Sequence, residues 1–177
     1  MGTCQGIAEN IAEKLGVEAI NVGDLTADVL NENENLLLGT STWGSGEMQD
    51  DWYEGVKLLD EVGLKGKTVA IFGCGDSNSN ADTFCGGMAE LCEAATNAGA
   101  NVLEGVPTEG YTFEESPAVK DGKFVGLALD NENEADKTDE DDDEADATST
   151  DRAPAGAYQE AWNSRFISTI ETICSTI

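Results

Sequence analysis

Leu36-Leu37-Leu38-Gly39-Thr40-Ser41-Thr42-Trp43-Gly44-Ser45-Gly46-Glu47-Met48-Gln49-Asp50-Asp51-Trp52 changes character twice in seventeen residues. An apolar run stops at Gly39, and a hydroxyl-rich loop carrying one tryptophan follows. From Gln49 to Val62 the apolar residues Trp52, Val56 and Leu59 then recur at helical spacing. Asn35 to Gly39 therefore reads as a strand, nearly all apolar and covered on both faces. Thr40 to Gly46 reads as a loop at its carboxyl end, where open α/β sheets bind ligands. Trp43 stands between Thr42 and Gly44, a poor setting for a core residue. It is placed to lie flat on a planar ligand, and half-buried packing is the competing reading.

The pattern repeats on either side. Glu9 to Leu15 has Ile11, Ala12 and Leu15 on one helical face, and Gly16 stops it. Ala19 to Val22 is a short strand candidate, Leu25 to Leu30 a short helical piece, and Asn31 to Asn35 a loop. Thr68-Val69-Ala70-Ile71-Phe72 is the strongest strand signal in the chain. It runs into a second glycine-rich loop, Gly73-Cys74-Gly75-Asp76, that continues to Asn80. Asp82 to Ala98 reads as a helix ended by Gly99, and Asn101 to Val106 as a strand. Residues 107–123 are irregular, Phe124 to Leu129 returns to strand, and Tyr158 to Ile177 reads as a terminal helix. Strands alternating with helices imply a parallel sheet with right-handed crossovers.

Charge narrows the function. The 177 residues carry 36 acidic against 9 basic side chains and no histidine, a net charge of −27. Nucleic acid and anionic membrane surfaces are poor partners for such a polyanion, whereas basic proteins are good ones. No apolar run is long enough to span a membrane, and the N-terminus lacks a secretory pattern. The five cysteines, Cys4, Cys74, Cys85, Cys92 and Cys174, include no C-x-x-C pair, so free thiols in a reducing compartment are expected rather than a zinc site. Residues 130–151 hold twelve of the 36 acids, one lysine and no large apolar side chain. This reads as a solvated, disordered insert in a single domain spanning 1–177; the central glycine and spaced ligands of a calcium loop are absent.

A third loop completes the set. Gly2-Thr3-Cys4-Gln5-Gly6-Ile7-Ala8-Glu9 opens the first helix. A helix N-terminus presents unpaired N–H groups and partial positive charge, so it can hold a phosphate without lysine or arginine. Each loop has a plainer reading alone: a cap, a packing tryptophan, a turn aspartate. Three in this order are more specific.

With the three loops in place, the chain resembles the long-chain flavodoxins, FMN-binding electron carriers. The resemblance rests on Thr42-Trp43-x-x-Gly46-Glu47-x-Gln49-x-Asp51-Trp52, on Phe72-Gly73-x-Gly75-Asp76, and on Pro107-Thr108-Glu109-Gly110-Tyr111-x-Phe113-Glu114-Glu115-Ser116 continuing through Asp121 to Asp130. It implies a three-layer α/β sandwich with a parallel sheet of order 2-1-3-4-5 and helices on both faces. The 107–130 block resembles the insertion that splits the last strand of the long-chain branch. The resemblance implies that Thr3, Cys4, Gln5 and Gly6 face the FMN phosphate. It implies that Thr40, Ser41, Thr42, Trp43 and Gly44 cover one flavin face, with Trp43 stacked on it. Cys74, Gly75, Asp76, Asn80 and Asp82 would hold the other edge. The implied partners are basic-faced redox proteins, an NADP reductase-type donor or a photosystem-type acceptor, met by a monomer.

The chain also departs from the family pattern. Gln5 and Ala8 stand where the phosphate loop has hydroxyls, and Asn80 where a tyrosine covers the second flavin face. The apolar first strand before Gly2-Thr3 is absent, so the sequence is expected to be incomplete at its N-terminus. Its compartment is the cytoplasm or, with a lost targeting segment, the plastid stroma. Three alternatives stay open: a flavin-free binding module on the same fold, a truncated non-functional fragment, and an FMN-dependent reductase.

Overall fold

The computed structural model describes residues 3–130 and 133. The acidic insert beyond Asp130, apart from Asn133, and the terminal helix expected from Tyr158 lie outside the described residues. Helix α1 spans Thr3–Leu15 and α2 Ala27–Glu32; strand β1 spans Asn35–Trp43 and β2 Glu47–Met48. Then come α3 (Trp52–Val62), β3 (Thr68–Cys74), α4 (Gly87–Asn97), β4 (Asn101–Val102), β5 (Val119–Lys120), β6 (Lys123–Phe124) and β7 (Leu127–Leu129).

Strand β3 is the centre of the sheet. It is buried from Val69 to Cys74, as its unbroken apolar sequence requires. Strand β1 runs parallel along one edge of it, from Asn35 opposite Thr68 to Ser41 opposite Cys74. The other edge is shared: β4 pairs with Thr68 and Val69, and β7 with Phe72, Gly73 and Cys74, both parallel. One edge strand is thus cut in two, and residues 103–126 make an excursion between its halves. Within that excursion, β5 and β6 form a small antiparallel hairpin. Its tip, Asp121-Gly122, has φ of 52° and 75°, which suits the two-residue turn that follows the right-handed twist of paired strands.

Helices cover both faces of the sheet. Adjacent residues of a strand point to opposite faces. A Cβ at Gly73 would strike the Met88 side chain of α4. The side chain of Cys74 meets Cys4 of α1. So α4 and α1 lie on opposite sides, and the layering is that of a three-layer sandwich.

The structure corrects several boundaries. Ala19 to Val22 is not a strand: among the described residues nothing pairs with it, and Val17 and Ile20 are 54% and 43% exposed. A strand leaves its backbone groups unsatisfied without a neighbour. The chain instead enters a 3₁₀ turn at Val22–Asp24, capped by the Asn21 side chain accepting from Gly23 N at 2.9 Å. Strand β1 continues four residues past Gly39, because Thr42 and Trp43 pair antiparallel with Met48 and Glu47 of the unforeseen β2. Leu36 and Leu37 are only partly buried, so β1 is not covered throughout on both faces. Helix α4 begins at Gly87, not Asp82, since residues 79–86 wind through successive turns and Cys85 holds φ of 52°. Gly105 and Gly126 break the expected 101–106 and 124–129 strands; a Cβ on Gly126 would collide with the Ile71 carbonyl, and one on Gly105 with the Phe124 carbonyl. Asp130 is 8% exposed and hydrogen-bonded, so it belongs to the folded body rather than to a solvated insert.

Candidate functional site

The parallel register of β1 on β3 sets Ser41 beside Cys74, so the two loops leave the sheet together. Between them opens a cavity of about 220 Å³ lined by Ser41, Thr42, Gly44, Cys74, Gly75 and Asp76, with Asn80, Thr83, Phe84 and Cys85 closing the far side. Seven of these residues were expected from the sequence. Thr83, Phe84 and Cys85 were not, because the misplaced helix start hid the turn that presents them.

The Trp43 loop is a hairpin. Gly46 N donates to the Trp43 carbonyl at 3.1 Å, and Gly44 and Gly46 hold φ of 53° and 101°. Trp43, between the cavity-lining Thr42 and Gly44, is 50% exposed, and its indole N–H donates to Ser41 Oγ at 3.0 Å. A large ring anchored at its polar end leaves a face free for a planar partner. Thr40 turns away from the cavity. Its buried hydroxyl donates to the Ser41 carbonyl and accepts from Gln49 N at 3.3 Å, tying the two hairpin arms. Trp52 fixes the base of the loop by donating to the Gly39 carbonyl at 2.8 Å.

The Asp76 loop is an acid-centred turn. Asp76 Oδ1 accepts from Asn78 N and Ser79 N, both at 3.0 Å, and from the Asn133 carboxamide. Hydrogen bonds from Ser79, side chain first and backbone next, then from Asn133, hold the carboxyl at about 2 against an ordinary 3.8. It is therefore an anion at every physiological pH. Asn80 is exposed, and its N–H donates to the Asp76 carbonyl. Asp82 is exposed and is not among the residues lining the cavity. Behind the turn, Asp130 accepts from both the N–H and the hydroxyl of Ser77.

The 103–126 excursion holds this wall from outside. Phe84 stacks on Phe113 at 5.7 Å and meets Phe124 edge-on at 5.9 Å, and Tyr111 joins Phe124 at 4.9 Å. Ser116 Oγ donates to the Phe84 carbonyl at 2.5 Å, and the N–H groups of Glu114 and Glu115 both donate to the Ala81 carbonyl. Sequence patterning gives no sign of this support, since aromatics in an irregular segment have no period.

Helix α1 brings its N-terminus to the same corner, where Cys4 meets Cys74. Its first turn contains no acidic residue. The leading N–H groups of a helix have no intrahelical acceptor, and the space a Gly6 Cβ would enter is open to at least 4 Å. Gln5 is exposed, and its amide donates along the helix to Glu9 at 2.9 Å. An anion end, an aromatic face and a polar edge thus converge on one corner, a donor set that fits a planar ring carrying a phosphate.

The rim is acidic. Glu90, with smaller contributions from burial, Glu47 and Asp50, raises the Tyr53 phenol above its usual range. Glu47 is the register partner of Trp43, so this charge borders the exposed ring. Among the described residues no helix is long and apolar enough to cross a membrane, and no cluster of His, Cys, Asp or Glu is arranged to hold a metal.

A family model described as Flavodoxin matches residues 1–149. Flavodoxin 1 of Azotobacter vinelandii is 42% identical over 146 residues, covering 78% of this chain and 84% of its own. The flavodoxin of Synechocystis is 39% identical over 142 residues with the same coverages. A crystal structure of Fusobacterium nucleatum flavodoxin bound to flavin mononucleotide superposes with a TM-score of 0.72 at 34% identity, over 78% of this chain and 84% of that one.

Proposed function

The chain belongs to the flavodoxin family, and from that premise we propose that it is a one-electron carrier working with non-covalently bound FMN. The observation that carries this reading is the convergence of the α1 N-terminus, the Trp43 hairpin and the Asp76 turn on one corner at the carboxyl ends of β1 and β3. FMN supplies the redox chemistry when bound. The α1 first turn, with Thr3, Cys4, Gln5 and Gly6, receives the phosphate through backbone N–H groups. Trp43 covers one ring face, Thr40 holds the hairpin that presents it, and Ser41, Thr42 and Gly44 line the ring. Cys74, Gly75 and Asp76 bound its other edge, with Asn80 and Asp82 at the outer margin.

Two features bias the electronics. Asp76 remains ionised beside the site, and added negative charge on the ring is disfavoured by it and by the acidic body. That favours a low potential. The carboxylates of Glu47, Asp50 and Glu90 near Tyr53, with Glu47 also beside Trp43, support docking of basic-faced redox proteins, such as an NADP reductase-type donor or a photosystem-type acceptor. The protein acts on such partners as a monomeric carrier rather than as an enzyme with its own substrate. Its free thiols fit the cytoplasm, and the bacterial relatives give the plastid expectation no support.

The test is a titration of cofactor-free protein with FMN and with riboflavin, followed by visible absorption and flavin fluorescence. Saturable FMN binding much tighter than riboflavin binding, with reduction by a flavodoxin reductase, is the expected result. Absence of FMN binding by folded protein would sink the reading.

A further inference from the structure

We propose that Glu90, which is not among the residues lining the cavity, is a positioning residue for it: its carboxylate fastens the returning arm of the Trp43 hairpin to α4 and so sets where the indole stands. The consequence for flavin affinity rests on the FMN reading; the clamp itself does not.

The base of the Trp43 hairpin is tied by Thr40 and Trp52, and its outer rungs need other support. Strand β2 is two residues long, and its pairing with β1 covers only Thr42 with Met48 and Trp43 with Glu47. The loop between the arms holds Gly44 and Gly46, both at positive φ, and glycine loses more freedom on ordering than any other residue. A hairpin of this size is marginal in water by itself. Its place is set by what it packs against, which is the start of α4.

Two hydrogen bonds cross that contact. Met48 N donates to Glu90 Oε1 at 3.3 Å, and Gly87 N donates to Thr42 Oγ1 at 3.3 Å. One runs from hairpin to helix and the other runs back. Thr42 and Met48 are register partners, so both bonds act on the same rung, one on each arm. The first N–H groups of a helix find no acceptor within it, and the Thr42 hydroxyl supplies one for Gly87. Met48 is buried, so its N–H without Glu90 would be a costly orphan. Beside these bonds the two backbones leave no room for a side chain. A Cβ on Gly86 would lie 2.5 Å from the Gly46 carbonyl oxygen, and one on Gly87 3.0 Å from the Ser41 carbonyl oxygen.

The helix side of the clamp is firm. Glu90 is partly buried in the first turn of α4, where a carboxylate suits the helix dipole. Met88, Leu91, Cys92 and Ala95 bury the helix around it. The turn that closes the far side of the cavity runs directly into this helix. The clamp therefore joins the Trp43 wall to the opposite wall through a residue 42 positions away from Met48 in the chain.

Acceptor and charge predict opposite signs. Were Glu90 to act through its charge, removing it would tighten binding of an anionic ligand. Acting as an acceptor, its removal loosens the Trp43 face and weakens binding. Glu90→Gln keeps the reach and an acceptor oxygen but not the charge. Glu90→Asp keeps the charge but draws the oxygens back by one methylene. Glu90→Ala loses both.

The experiment uses the full chain, first free of cofactor and then titrated with FMN, with hydrogen exchange at the Met48 amide as the direct readout of the clamp. Glu90→Ala and Glu90→Asp should speed that exchange at least about tenfold and weaken FMN binding by about tenfold, whereas Glu90→Gln should stay within about twofold of wild type in both. In a Trp43→Ala background, Glu90→Ala should weaken FMN binding no further, because it acts through the indole. Wild-type affinity in Glu90→Asp, or a loss in Glu90→Gln equal to that in Glu90→Ala, overturns the acceptor role. An undiminished further loss in the Trp43→Ala background overturns positioning, and unchanged Met48 exchange in Glu90→Ala and Glu90→Asp overturns the clamp. If Glu90→Ala does not fold, the contrast between Glu90→Asp and Glu90→Gln decides, and Glu90→Asp takes its place beside Trp43→Ala. Wild-type protein that binds no FMN would count against the flavin reading alone, and Met48 exchange would still judge the clamp.

Discussion

Trp43 and Asp76 make opposite use of a side chain. Trp43 offers a large exposed face with a single hydrogen bond at its edge. Trp43→Ala removes that face and little else, so FMN affinity should fall at least tenfold while the unfolding midpoint stays within about 0.5 kcal/mol of wild type. Trp43→Phe should recover part of the loss in the same fluorescence titration. Asp76 spends its carboxylate on its own turn. Its pKa is lowered by folding, so the stabilisation is fully present above about 3.8 and is lost as pH falls through about 2. Acid unfolding of Asp76→Asn, followed by circular dichroism, should therefore show a weaker dependence on pH across that window than wild type. Trp43 and Asp76 were both legible in the sequence, because each sits in a glycine-bounded loop after an apolar run. Thr40 was legible only as a loop hydroxyl. Its turn into the hairpin depends on Gln49, which belongs to pairing that no local pattern announces.

Elements are legible in the sequence where burial is two-sided and obscure where pairing is remote. Strand β3 announces itself through five consecutive apolar or β-branched residues. The β1–β2 hairpin does not, since its residues are mostly hydroxyls and glycines. The late start of α4 follows from close approach. Cβ atoms on Gly86 and Gly87 would crowd the Gly46 backbone and the Ser41 carbonyl, so the helix begins where the Trp43 hairpin presses on it. Glycines also separate stability from binding. Gly126→Ala places a methyl group against the Ile71 backbone and should cost about 1–3 kcal/mol in urea unfolding. Gly6→Ala meets nothing within 4 Å and removes a poor helix former, so the cofactor-free protein should gain up to about 1 kcal/mol. The same variant should bind FMN more weakly, because the added methyl stands in the open space assigned to the phosphate.

At the scale of the molecule, a charge of −27 acts on stability and on association with opposite signs. Salt screens repulsion within the folded body and attraction to a basic partner alike. Raising sodium chloride from 20 to about 300 mM, a range that shortens the Debye length severalfold, should raise the melting temperature. Over the same range the stopped-flow association rate with a basic-faced reductase should fall. A rate indifferent to salt would remove the steering role. Layer order and acidity follow from the whole sequence, whereas the aromatic wall built by residues 103–126 follows only from the fold. That wall has a kinetic meaning as well. Ser77 bonds Asp130 across 53 residues, Ser116 reaches Phe84 across 32, and Gly75 N donates to the Leu129 carbonyl. Contacts of such long sequence separation close late in folding. The cavity wall should then open as one unit with β7, and the amides of Gly75, Ser77 and Leu129 should exchange hydrogen together. They should do so faster than those in the middle of β3, which β1 protects along its full length.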